Sequence, residues 1–151
     1  MFENSWWETA THVISLAVAY ALALPVGWDR EKDARSAGIR TFPLVAIASC
    51  GFVLVGIAIL GRTSPAQDRL LEGLITGVGF IGGGALLKKG SKASGTATAA
   101  SLWATGALGA AVGYGLYDIA AILSATTFLT LRCSRPLKRA TKSDVGAPAS
   151  P

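Results

Sequence analysis

Charged residues are scarce in this sequence, and acidic residues are absent from its centre. Only 15% of the 151 residues are charged, 51% are hydrophobic, and the mean hydropathy is +0.47. No Asp or Glu occurs between Glu72 and Asp118. A soluble domain seldom has this composition, which therefore predicts a membrane protein.

Cysteine and histidine are also rare, with two Cys and one His. Cys50 falls inside a predicted membrane span and Cys133 at the end of another, so the two thiols cannot form a disulfide. His12 has no second His or Cys at ligand spacing, which argues against a histidine metal site. Without a nucleophile and base pair or a metal-ligand cluster, we predict no enzymatic activity and no cofactor; magnesium as a ligand or signal stays open.

Long runs without charge predict where the chain crosses the bilayer. The runs 9–28 and 41–61 contain 20 and 21 residues, and each is enough to span a hydrocarbon core of about 30 Å. The run 73–87 is extended by Leu70 and Leu71, and the tract 93–131 is about twice too long for one span, so it must fold back. We predict an all-α, polytopic membrane helix bundle with five transmembrane helices, at about 9–28, 41–61, 70–88, 95–113 and 116–132. These helices form one transmembrane domain, 1–133, followed by a disordered, basic cytoplasmic tail, 134–151.

The distribution of Lys and Arg predicts the orientation of this bundle. Twelve of the 14 basic residues fall in the first and third loops and in the tail, all on one side. Only Arg62 and Arg69 lie on the other side. The positive-inside rule then places the N-terminus outside and the C-terminus in the cytoplasm. The net charge of +5 is attributed to topology and anionic lipid rather than to nucleic-acid binding, because basic and aromatic residues are not interleaved.

The third predicted span is rich in glycine. Residues 77–82 read GVGFIG and match the dinucleotide fingerprint GxGxxG, but no acidic residue follows until Asp118 and no strand precedes them. We interpret these glycines as helix-packing or partner-contact surfaces and expect the third span to be a central helix. The alternative is a locally unwound helix that binds an ion. The residues concerned are Gly77, Gly79, Gly82, Gly83 and Gly84, together with Gly109 and Gly113 in the fourth span.

Hydroxyl side chains form a stripe along the fourth predicted span. Ser94, Thr98, Ser101 and Thr105 lie within about 60° of one another on a helix of 100° per residue. The favoured interpretation is that these hydroxyls bond to nearby backbone carbonyls. The alternative is a polar track for water or a cation, because hard cations prefer oxygen ligands.

The densest charge lies at the end of the first span, where residues 27–33 read GWDREKD. On a continuing helix Asp29 and Asp33 share a face, and Glu31 can pair with Arg35. Two interpretations remain open at this point. The carboxylates of Asp29, Glu31 and Asp33 either hold hydrated magnesium or belong to a salt-bridged turn that fixes membrane depth.

Four motifs make the sequence similar to the MgtC/SapB family of bacterial inner-membrane proteins. GWDRE at 27–31 is similar to that family's GLERE, and GIRT at 38–41 to its GLRT. GVGFIGGG at 77–84 and GTATAASLW at 95–103 follow in the same order. The resemblance covers about 21–131, with Asp29 in place of the commoner Glu and Thr96-Ala97-Thr98 in place of Leu-Thr-Thr.

The resemblance implies a multi-pass protein of the bacterial inner membrane, associated with magnesium homeostasis, acid stress and other stress responses. Members of the family have been described as magnesium transporters and as regulators that contact the membrane sector of the ATP synthase. Longer relatives carry a C-terminal cytoplasmic domain. We expect the short form here, with functions of that domain absent.

Two functions follow from these expectations, and a partner-binding regulator is preferred. No Asp or Glu lies at mid-depth in a predicted span, although such residues normally mark ion routes. A regulator would bind other membrane proteins, or a second copy, through its glycine faces, while Arg30 and Arg40 pair with Asp29 and Glu31. A magnesium or other cation transporter is the alternative, with Asp29, Glu31 and Asp33 at the inner mouth and the hydroxyl stripe along the path.

Overall fold

Five helices and one small hairpin make up the structure, a computed structural model that describes residues 6–32, 37–89 and 92–144. The helices are α1 (Trp6–Glu31), α2 (Thr41–Leu60), α3 (Ala66–Gly84), α4 (Thr96–Gly113) and α5 (Tyr117–Asp144). The predicted all-α bundle of five helices is therefore confirmed. Among the described residues, α1 and α2 are the two helices long and apolar enough by themselves to cross a membrane.

Between α3 and α4 the chain forms an antiparallel pair of strands, β1 (Leu87–Lys89) and β2 (Lys92–Ser94), with Leu87 opposite Ser94. The sequence predicted a plain loop here. Gly95 follows with φ +88°, a left-handed conformation that glycine adopts without steric cost. A side chain at Gly95 would also overlap the Ala85 carbonyl, because the ribbon returns close to the end of α3.

The central helix is α4, which contacts each of the other four helices. Its glycines allow this. A Cβ on Gly109 would overlap the carbonyl oxygen of Ala46 on α2, and one on Gly113 would lie 2.7 Å from Val53 Cβ. Gly106 receives the side chain of Val78 from α3. The expectation that the third helix is central was wrong, because α4 rather than α3 presents close contacts on several sides.

The first and last helices run parallel and in register. Ser15 Oγ on α1 lies 3.3 Å from the hydroxyl oxygen of Tyr117 on α5. Two turns further along both helices, Ser124 Oγ on α5 donates to the Leu22 carbonyl oxygen on α1 at 2.7 Å. Because seven residues separate the contacts on both helices, α1 and α5 point the same way. Consecutive helices that alternate in direction require this of the first and fifth.

Alanine is the commonest residue in one of the two buried clusters, and many large apolar side chains point outward. One buried cluster consists of Ala19, Ala23, Ala46, Cys50, Leu108, Ala111, Val112 and Ala120, and a second of Val26, Phe42, Val45, Val78, Leu102 and Leu131. By contrast, Phe80 is 84% exposed and Ile59 75% exposed. Helices that associate in lipid pack through small residues and leave large apolar ones facing the acyl chains, so this distribution fits a membrane environment.

Helix α5 continues to Asp144, beyond Cys133, at which the disordered tail was predicted to begin. Residues 134–144 are therefore helical where disorder was expected. Six of these eleven residues are Ala, Leu, Lys or Arg, which are good helix formers whether or not they can be buried. Residues 145–151 lie outside the described part of the chain.

Candidate functional site

The end of α1 and the first turn of α2 lie against each other, so the motifs 27–31 and 38–41 form one site. A Cβ on Gly27 would lie 3.1 Å from Ile39 Cα and 3.4 Å from the Gly38 carbonyl oxygen. The two backbones can approach this closely because Gly27 has no side chain. We call this arrangement the α1–α2 corner.

Glu31 fixes the start of α2 at this corner. Its Oε2 accepts a hydrogen bond from the Ile39 backbone N–H at 2.9 Å. A Cβ on Gly38 would overlap the same carboxylate, so glycine at this position leaves room for it. The Glu31 charge also lies beside the N-terminus of α2, where the unpaired amides and the helix dipole favour a carboxylate. Glu31 therefore ties Ile39, the residue before the N-cap of α2, to the end of α1.

A buried ion pair completes the corner. Arg30 Nη2 lies 2.9 Å from Asp29 Oδ2, and the two residues are 6% and 1% exposed. Val26 and Phe42, both fully buried, belong to the apolar cluster at the same end of α1 and α2. Removal of one partner of such a buried ion pair strongly destabilises a protein, because the other charge stays buried.

The geometry of this corner fits a structural hairpin better than a magnesium site. Asp29 is engaged with Arg30, and Glu31 with a backbone amide. Asp33 lies outside the described residues, so metal binding by the three carboxylates stays a prediction. Within the described ranges no cluster of three His, Cys, Asp or Glu side chains is arranged for a metal ion. Arg40 is exposed and forms no ion pair with a described residue.

Two hydroxyls of the predicted stripe on α4 donate hydrogen bonds to backbone carbonyls of the same helix. Thr98, Ser101 and Thr105 are all buried. Ser101 Oγ donates to the Thr98 carbonyl oxygen at 3.0 Å, and Thr105 Oγ1 to that of Ser101 at 2.8 Å. Ser94 is exposed and belongs to β2, so the predicted stripe of four hydroxyls was wrong at its first member. The bonds observed are those of the carbonyl-bonding interpretation.

The glycines of α3 and α4 have opposite environments. A Cβ on Gly77, Gly79, Gly83 or Gly84 would meet nothing within 4 Å, and all four residues are exposed. Of the α3 glycines singled out in the sequence, Gly82 alone packs, with its Cβ position 3.2 Å from the Ala99 carbonyl oxygen. Gly109 and Gly113 pack directly against α2. The open glycines therefore belong to a surface that the described part of the chain does not cover.

An apolar groove separates α2 from α3. It has a volume of about 660 Å³, and its walls include Leu44, Val45, Phe52, Leu74, Gly77 and Ile81. The two helices touch near their connection, where Leu70 lies against Gly56. Farther along they diverge, because α3 packs on α4 through Val78 and Gly82. Gly77 lines this groove, whereas Gly79 and Gly83 lie on the other side of α3. We call the face of α3 that carries Gly79 and Gly83 the α3 surface.

Three close approaches were not anticipated from the sequence, namely those of Gly27, Gly38 and Gly106. Each lies where another element crosses at short distance. For Gly27 and Gly38 the only local signal of such a crossing is a small residue on each side of a short helix connection, and Gly106, in the middle of α4, has no such signal. A small residue shows that another segment can approach closely, but it does not show which segment does so.

Comparison with known proteins shows which protein family this chain matches. The model of the MgtC family matches residues 16–140. The chain is 38% identical over 136 residues to protein SrpB of Synechococcus elongatus, covering 82% of this chain and 75% of SrpB. It is 34% identical over 132 residues to protein MgtC of Brucella abortus, covering 87% of this chain and 55% of that protein.

A further relative is the protein of Escherichia coli (strain K12) named "Putative magnesium transporter YhiD". The two are 32% identical over 129 residues, which cover 82% of this chain and 60% of YhiD. The chain thus spans little more than half the length of MgtC and YhiD and three quarters of SrpB. No solved structure matches the chain significantly.

Proposed function

This chain belongs to the MgtC family, and we propose that it is a regulatory, partner-binding protein of the bacterial inner membrane. In this proposal all five helices cross the bilayer, with the N-terminus outside and the C-terminus in the cytoplasm, as the distribution of Lys and Arg favours. The protein would act under magnesium limitation and acid stress. Its molecular role would be to bind another membrane protein through the α3 surface.

The observation that supports this role most strongly is the uncovered glycine face. Lipid supplies no hydrophobic drive for helix association, so small residues that let backbones approach closely take that part. Gly79 and Gly83 are spaced for such a contact and have open space above them. The four packed glycines of α3 and α4 show that this chain uses the same device internally. A transmembrane helix of a partner is the occupant whose chemistry suits this surface.

The distribution of buried polar groups also favours regulation over transport. The buried charged residues among those described are Asp29 and Arg30, which pair with each other at one end of α1. The buried hydroxyls of Ser101 and Thr105 bond to carbonyls of their own helix. An ion route normally includes ionisable groups at mid-depth. The membrane sector of the ATP synthase is one candidate partner, through the family resemblance, and a second copy of this chain is another.

The test is a pair of glycine substitutions compared in native membranes. Gly79→Leu places a side chain on the α3 surface, while Gly51→Leu places one at an α2 glycine that likewise has open space. Both variants should fold, because neither new Cβ meets an atom within 4 Å. We expect crosslinking in the membrane, followed by purification, to recover a partner with the wild type and Gly51→Leu but not with Gly79→Leu. Equal recovery with all three proteins would refute the α3 surface as the contact.

A magnesium transporter is the second candidate, because the name of YhiD points to that activity. Purified protein in liposomes with an entrapped magnesium indicator distinguishes the two functions. Under the regulatory proposal, folded protein produces no magnesium uptake above that of empty liposomes. Uptake that depends on the protein and is lost in Glu31→Gln, which removes a charge from the exposed end of α1, would favour the transporter.

A further inference from the structure

A second cavity lies at the opposite end of α1 from the α1–α2 corner and has a different character. Its volume is about 580 Å³, and it opens among α1, α2 and the connection from α4 to α5. The polar side chains that line it are Glu8, Thr11, His12, Ser15, Arg62 and Tyr117. We call it the polar cavity, to distinguish it from the apolar groove along α3.

The Arg62 side chain, which lines the polar cavity, is held in place by neighbouring groups. Arg62 Nη1 donates to the Tyr114 carbonyl oxygen at 2.7 Å. Tyr114 in turn donates its hydroxyl to Gln67 Oε1 at 3.0 Å, and Gln67 Nε2 donates to the Gly61 carbonyl oxygen at 2.8 Å. A guanidinium has five N–H donors in a planar fork that matches phosphate oxygens. The network therefore holds a phosphate-binding group at the wall of the cavity.

The remaining walls supply an acid, hydroxyls and an apolar side. Glu8 lies one helical turn before His12 on α1, so both reach the same cavity. Ser15, 3% exposed, and the Tyr117 hydroxyl, 3.3 Å away, form a polar floor. Leu54 and Ile57 of α2 form an apolar side. The cavity thus offers one carboxylate, one guanidinium and an apolar wall to a single ligand.

The surroundings indicate that this cavity lies at the depth of lipid head groups. Trp6 and Trp7 are 89% and 81% exposed at the same end of α1. Tryptophan is enriched at the membrane–water interface because its ring is amphipathic. A ligand that enters here would meet water on one side and acyl chains on the other.

We propose that the polar cavity binds the phosphoethanolamine head group of a bilayer lipid. The phosphate lies against Arg62, with His12 and the hydroxyls beside it, and the primary ammonium donates to Glu8. The acyl-bearing glycerol lies along Leu54 and Ile57. An anionic lipid would leave Glu8 without a complementary charge, and a choline head group has no N–H to donate to it. This inference stands independently of the regulatory role proposed above.

Native mass spectrometry of the purified, delipidated full chain in detergent tests the proposal. We would titrate phosphatidylethanolamine, phosphatidylglycerol and phosphatidylcholine of equal acyl length, and soluble glycerophosphoethanolamine in parallel. The expected preference for phosphatidylethanolamine is about fivefold, the size of a partly exposed charge pair. Equal binding of the three lipids would overturn the proposal. Glycerophosphoethanolamine binding as tightly as the lipid would overturn the lipid as the source of the head group.

Charge variants then locate the site. Glu8→Gln should lose the preference for phosphatidylethanolamine while binding of phosphatidylglycerol stays the same, and Arg62→Gln should weaken the binding of both. Glu72→Gln and Arg69→Gln make the same charge changes at exposed α3 residues away from the cavity, and they should behave as wild type. A thermal melt of each variant identifies misfolding. Unchanged binding in both folded cavity variants would refute the assignment.

Discussion

Ser124 on α5 donates a hydrogen bond of 2.7 Å to the carbonyl oxygen of Leu22 on α1. The acceptor lies one turn before Pro25, which interrupts the hydrogen-bond ladder of α1 because proline has no amide hydrogen. The helix is thus tied to its neighbour at the point where its own backbone bonding is weakest. Ser124 is 6% exposed, so water has little access to replace this bond.

Replacing Ser124 by alanine should lower the free energy of unfolding by about 0.6 to 1 kcal/mol, because the bond between α1 and α5 is lost. Thr126→Ala is the matched control, since the Thr126 hydroxyl bonds to the Ile122 carbonyl of its own helix. Unfolding by SDS in mixed micelles measures both. A loss from Thr126→Ala as large as that from Ser124→Ala would contradict a special role for the interhelical bond.

Gly109→Ala should be destabilising by about 1 to 3 kcal/mol, because the new Cβ overlaps the Ala46 carbonyl and α2 must move away from α4. Gly51→Ala, where a Cβ meets nothing, should be neutral or slightly stabilising through helix propensity. The same micellar unfolding experiment compares the two. If Gly109→Ala were as stable as Gly51→Ala, the close packing of α2 on α4 would be wrong.

Asp29→Leu should be destabilising by about 3 kcal/mol, since the Arg30 charge then stays buried and loses its bond to the Asp29 carboxylate. The double variant Asp29→Leu/Arg30→Met should recover a large part of that loss, because apolar side chains of similar volume suit the buried corner. A double-mutant cycle on the free energy of unfolding measures the coupling. Additive effects of the two substitutions would show that Asp29 and Arg30 do not stabilise each other.

Glu31→Ala should lower the free energy of unfolding by about 1 kcal/mol, the usual net value of a hydrogen bond, because Ile39 N–H loses its acceptor. Amide hydrogen exchange in micelles should show faster exchange at the Ile39 amide, with α4 unaffected. Glu72→Ala removes the same side chain type from an exposed face of α3 and serves as the control. Protection of Ile39 that is equal in wild type and Glu31→Ala would rule out the hydrogen bond between Glu31 and Ile39.

The helices and their number could be predicted from the sequence because hydropathy is a local property. Uncharged runs such as 41–61 are long enough to require a helix in lipid, whatever lies beside them. The bonding of Ser101 and Thr105 to carbonyls of their own helix was also predictable, because both partners lie within one turn. The continuation of α5 past Cys133 was not predicted, because a low apolar content shows that a segment cannot form a core but does not prevent it from being helical.

Which glycines pack could not be predicted, because packing depends on distances between segments far apart in the chain. A glycine permits close approach but does not specify the neighbour. The glycine-rich α3 consequently looked central, yet Gly79 and Gly83 remain open while Gly109 and Gly113 of α4 meet α2. The meeting of Gly27 with Ile39 and of Ser124 with Leu22 likewise exists only once the helices are assembled. The sequence was therefore sufficient to predict a five-helix membrane protein and its family. Only the tertiary structure showed which helix is central and that the α3 surface and the polar cavity are open.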